Sequence, residues 1–155
     1  MSNPSEASVT NQRLDVARRF LNMKNEAAEF WMERAYEYSA LFHLKSALNG
    51  LLQEVCANYS LKKEADLCVL LGAAKEKGMS IPVLQELNAL SSDPISWLTL
   101  MEKDYNVALE CHSKSPTVVS SNVIVSSQSL ESSITFYLKS ISDLVLRYRE
   151  ESAEY

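Results

Sequence analysis

Apolar residues recur three and four positions apart over most of this chain, and the last run is the clearest. Leu130, Ile134, Tyr137, Leu138, Ile141, Leu144, Val145 and Tyr148 form one broad stripe, which predicts an amphipathic helix over about 130–152. Ser132, Ser133, Lys139, Ser140, Asp143, Arg147 and Glu150 make up its other face. The same period begins near Thr10 and persists to Tyr59. A single helix of that length would measure about 75 Å, so the chain must fold back on itself. The least apolar stretch is Asn22–Glu26, with Asn25 as an N-cap, and it divides the run into helices at about 10–23 and 27–59.

Lys62–Lys77 reads as a third helix, closed by Gly78 as the residue after its C-cap. Ile81-Pro82 opens a shorter helix through Leu90. Asp93-Pro94, a cap acceptor followed by proline, starts another that reaches about His112. Residues 113–129 are serine-rich, with Val118, Val119, Val123, Ile124 and Val125 off any helical spacing. Without a glycine turn they read as an ordered crossover loop. Residues 1–9 are expected to be a flexible tail and 10–155 a single domain. The expectation is an all-α protein, an antiparallel helical bundle of four main helices plus one or two short ones.

The second helix carries the most information. Tyr36, Ala40, His43, Ala47, Gly50 and Glu54 fall on one strip about 80° wide. Its small members predict close approach of a neighbouring helix. Leu41, Leu44, Leu48, Leu51, Leu52, Val55 and Tyr59 lie beside it, the pattern of a central helix. The remaining face holds Lys45, Ser46, Asn49 and Gln53, but also Tyr38 and Phe42. Two aromatics one turn apart on a polar face need a cover. Either residues 113–129 supply it, or Tyr38 and Phe42 centre a homodimer interface.

Composition narrows the functional classes. Three glycines and four prolines cannot supply the turns of a β-sandwich or a doubly wound α/β fold, and neither Gly-rich phosphate motif can be written. The formal net charge is -5, which disfavours nucleic acid unless one face is locally basic. Arg13, Arg18, Arg19, Lys24, Lys62 and Lys63 are the basic candidates, and they read as solvated positions. Three unpaired-looking cysteines, no signal sequence and no apolar run long enough for a bilayer point to a cytoplasmic protein away from membranes.

Chemistry-bearing patterns are few. Glu-x-x-His and His-Glu-x-x-His are both absent, and Glu26, Glu29, Glu33 and Glu37 read as a solvated acidic stripe. Cys56 and Cys68 read as small buried apolar residues, and His112 as a solvent-facing residue at a helix end. His43 reads as an imidazole in a tight seam, bonded to a carbonyl or to Glu54. No catalytic residue, metal or cofactor is expected.

Together, TNQRLDVARRFL at 10–21, ALFHLKSALNGLLQEVCANY at 40–59, SDPISWL at 92–98 and SDLVLRYREE at 142–151 resemble a small uncharacterised family of gammaproteobacterial helical proteins. The resemblance implies no activity. It singles out Asn11, Gln12, His43, Trp97 and Arg147 as candidate ligand-binding positions. The layout is also similar, more loosely, to HEPN bundles, but their arginine upstream of histidine is missing before both His43 and His112. The leading expectation is a non-enzymatic bundle that acts through protein–protein contact or homodimerisation. The alternative is a bundle binding a small ligand or nucleotide near Asn11, Gln12, His43 and Trp97. An enzyme is the least supported class.

Overall fold

The computed structural model describes residues 4–110 and 127–153. These residues form six α-helices and no strand. The helices are α1 (Glu6–Asn25), α2 (Phe30–Asn58), α3 (Leu67–Glu76), α4 (Pro82–Ser92), α5 (Trp97–Leu109) and α6 (Ser127–Ala153). None is long and apolar enough to cross a membrane.

Local capping moves several boundaries from their expected places. The Ser5 hydroxyl accepts from the Ser8 N–H at 3.2 Å, so helix replaces the expected tail from Glu6 onward. The third helix begins at Leu67 instead of Lys62, because the Asp66 carboxylate caps the Val69 N–H at 3.1 Å. Just before it, the Glu64 carboxylate takes the N–H groups of Ala65 and Asp66, which holds that segment out of the helix. Asp93 does not start α5 either. Its carboxylate accepts from the Ile95 N–H at 3.0 Å in a local turn, and Ser96 caps the helix through the Thr99 N–H. The Ser96 hydroxyl also donates to the Leu90 carbonyl, which ties α4 to α5. Residues 127–129 of the expected crossover are helical, while 113–126 and His112 lie outside the described residues.

Two helices end in the same way. Gly78, at φ 68°, follows α3 as expected, with Met79 N–H bonding Ala74 O and Gly78 N–H bonding Lys75 O. Ser60, at φ 52°, does the same after α2, with Leu61 N–H bonding Cys56 O at 2.8 Å.

α1 and α2 run in opposite directions, and their seam is the most extensive in the fold. Lys24 meets Glu37, Phe20 lies beside Tyr36, Arg13 reaches His43, and Thr10 rests on Gly50. Ala17, Ala40 and Ala47 are fully buried along it. α2 also packs on α5 and α6, whereas α3 packs on α4 and α4 on α5. The α6 stripe is buried from Ile134 through Tyr148, as its spacing predicts.

Gly50 marks the closest approach. A Cβ there would stand 2.7 Å from Thr10 Oγ1 and 3.4 Å from Thr10 Cα. Thr10 is fully buried and its hydroxyl is bonded to the Glu6 carbonyl, so the side chain has little room to swing. Gly72 in α3 has open space at the same point. Both substitutions to alanine gain about 1 kcal/mol of helix propensity. Gly72→Ala should therefore raise stability by about 0.5–1 kcal/mol. Gly50→Ala should lower it by about 1–2 kcal/mol, because overpacking a seam costs more than the propensity returns. Urea unfolding of the two variants checks the opposite signs, and adding Thr10→Ala should rescue Gly50→Ala.

Candidate functional site

His43 projects from the middle of α2 toward α1 and is half-buried. Its ring stacks on Phe20, with centroids 5.6 Å apart and planes at 15°, and meets Phe42 edge-on at 5.3 Å. Arg13 Nη1 stands 3.4 Å from His43 Nδ1. A guanidinium only donates, so Nδ1 accepts and the ring proton rests on Nε2. Burial first, and then the Arg13 charge, hold the imidazole below its ordinary pKa. The ring is therefore a neutral spacer between two phenyl groups at pH 7. Among the described residues Arg13 Nε is buried with no hydrogen-bond partner.

The expected bond from His43 to Glu54 does not form, because eleven residues of continuous helix set the two about 16 Å apart, and Glu54 pairs with α6 instead. Arg149 grips it with Nε to Oε2 at 3.0 Å and Nη2 to Oε1 at 2.8 Å. The same guanidinium donates to Asn11 Oδ1 at 2.8 Å and to the Ala7 carbonyl at 3.2 Å. This fork joins α1, α2 and α6 over a carboxylate that is 5% exposed. Arg149 stands four residues after Val145 and so continues the buried stripe of α6, a signal present in the sequence but overlooked there.

The five candidate binding residues lie in separate settings. Asn11 belongs to the Arg149 fork and Gln12 is exposed. His43 belongs to the seam, and Trp97 is partly buried against the core at the start of α5. Arg147 points outward and pairs with Glu86 of α4. None of them lines either of two cavities in the fold. One, of about 420 Å³, opens among Lys45, Asn49, Leu52, Cys68, Leu87 and Leu98. The other, of about 750 Å³, lies between Tyr59, Pro82, Tyr148 and Glu151. Cys68 is exposed rather than buried, because it lines the mouth of the first of these cavities at the start of α3; Cys56 is buried as expected.

Two charges read as solvated are buried instead. Lys24 and Glu37 pair at 2.7 Å with each side chain 6% exposed. Arg18 and Arg19 pair with Asp15, and Lys63 with Glu6. Among the described residues no three His, Cys, Asp or Glu side chains are placed to hold a metal ion.

The outward face of α2 is one of the places where large apolar groups meet solvent. Trp31 is 65% exposed, Tyr38 44% and Phe42 52%. At about 100° per residue they lie within some 40° of one another on the side away from the core. Phe30 flanks them, with the Arg34 guanidinium 5.2 Å from its ring centroid. Such a face is suited to apolar contact.

Neither a curated protein nor a solved structure matches the chain. The model of a family of unknown function, DUF6586, matches residues 1–155, and the chain belongs to that family.

Proposed function

We propose that this protein is a non-enzymatic, cytoplasmic helical bundle that works through protein–protein contact, by homodimerisation across the outward face of α2. In this reading α1, α2, α5 and α6 form an antiparallel bundle, and α3 and α4 are a shorter hairpin beside it. The observation that carries the proposal is the exposure of Tyr38 and Phe42 in line with Trp31. Contiguous aromatic surface of this kind is uncommon on a monomer and typical of the energetic centre of an interface.

Native mass spectrometry and size exclusion at tens of micromolar test it. The wild-type chain is expected at twice the monomer mass, and Phe42→Asp and Tyr38→Asp at the monomer mass. Both side chains are exposed, so thermal unfolding of the monomer should change little. A dimer mass unaltered by either substitution overturns this face.

A second reading, binding of a small ligand, is favoured by the 420 Å³ cavity, whose size falls in the range of ligand sites. A monomer that carries a discrete extra mass, and whose melting temperature a metabolite raises, would replace the first reading with this one.

A further inference from the structure

The order of large and small residues along the outward face of α2 is itself informative. Trp31, Ala35, Tyr38 and Phe42 follow one another down the line opposite the core, and all four are exposed. Resting on the homodimer reading above, we infer that the occupant of this face is the α2 of a second copy, packed antiparallel about a two-fold axis between Ala35 and Tyr38.

Under that operation every position meets a fitting neighbour. Trp31 faces the partner's Phe42, and Tyr38 enters the space above the partner's Ala35. The two-fold repeats both contacts, which makes the interface isologous. Ser39 and Ser46 border the line on the side of Ala35, and neither presents a large side chain. The Ser39 hydroxyl is turned back onto the Ala35 carbonyl at 2.7 Å, which leaves that flank low. A parallel pairing would instead set Trp31 on Trp31, Phe42 on Phe42 and Ala35 on Ala35, large on large and small on small. Charge agrees with the antiparallel choice. Arg34 is the cation next to the line and is stacked on Phe30, so like charges do not meet at the axis. Lys45, further along α2, is neutralised by Glu102.

The exposed parts of the three aromatics on the line amount to on the order of 400 Å² per protomer. With their polar borders they approach the smaller specific interfaces, so the dimer should be read at micromolar concentrations.

The test uses the full chain with Cys68→Ser and Cys111→Ser, and single cysteines at Ala35 or Ser46. In the proposed pairing two copies of position 35 lie about 4.5 Å apart along the axis, and two copies of position 46 about 28 Å apart. A short bismaleimide should therefore link Ala35→Cys chains and leave Ser46→Cys chains unlinked. Linking of both overturns the antiparallel register in favour of a parallel one. Linking of neither, in a protein that is still dimeric by native mass, overturns this pairing but not homodimerisation. A wild-type monomer overturns both. Ala35→Leu adds apolar surface but fills the space for Tyr38, so the dimer should weaken at least tenfold. A dimer that tightens instead marks a merely sticky face.

Discussion

Lys24→Met is expected to destabilise the protein by about 3–5 kcal/mol, the range found when one partner of a buried ion pair is removed. The ammonium and the Glu37 carboxylate each retain 6% exposure, so the carboxylate left behind has little access to water. Glu37→Leu should cost a similar amount for the mirror reason. The pair as a whole is a different matter, since its Coulomb attraction mainly offsets its own desolvation. Lys24→Met/Glu37→Leu should therefore return to within about 1 kcal/mol of the wild type, or exceed it. A double-mutant cycle in urea reads this directly. Single variants that each cost under about 1 kcal/mol would mean that the pair is solvated and exchangeable.

The second large effect is expected at Arg149. Arg149→Met leaves the Glu54 carboxylate buried and withdraws donors from Asn11 and the Ala7 carbonyl. The expected loss is about 3 kcal/mol. At a chain of this size that shifts the melting temperature by roughly 10 °C. Arg149→Lys should recover only a minor part, because an ammonium cannot reproduce the paired Nε and Nη2 contacts. Asn11→Ala removes one partly exposed acceptor and should cost about 1 kcal/mol. If Arg149→Lys matched the wild type in thermal unfolding, charge alone would account for the site.

The helical layout was legible because burial and period agree. The stripe from Ile134 to Tyr148 is buried as its spacing requires, and the small positions of α2 are buried against α1. The starts of α3 and α5 were not legible, because competing caps lie within a few residues and tertiary contacts decide between them. Gln53 and Cys56 both reach the Glu64 carbonyl, at 2.9 and 3.8 Å, and hold residues 61–66 away from α3. The left-handed turn at Ser60 was hidden for a related reason: only glycine advertises that backbone, and serine adopts it here under the Leu61-to-Cys56 bond.

The site was legible in part. Tyr38 and Phe42 stood out because aromatics on a polar face break the pattern, and both are exposed. Lys24, Glu37 and Arg149 did not stand out, since one residue type serves equally for solvent and for a buried pair. Only the facing element distinguishes them. Spacing along one helix also could not show that Asn11 would meet Arg149, across 138 positions of sequence.

That span has a consequence for the order in which the chain acquires structure. The α1–α2 hairpin is built from near neighbours and is complete once residue 58 has been made. Its open end gains the Lys63–Glu6 pair soon afterwards, but the clamp on Glu54 and the Ala7 carbonyl waits for Arg149, 142 positions after that carbonyl. Until then the Glu54 carboxylate lacks its Arg149 partner, and the first turn of α1 has the Ser5 cap and the Lys63 pair but not the Arg149 bond to the Ala7 carbonyl. A nascent chain halted anywhere short of that arginine would hold a formed but unlocked hairpin, open to proteases at one end and protected at the other.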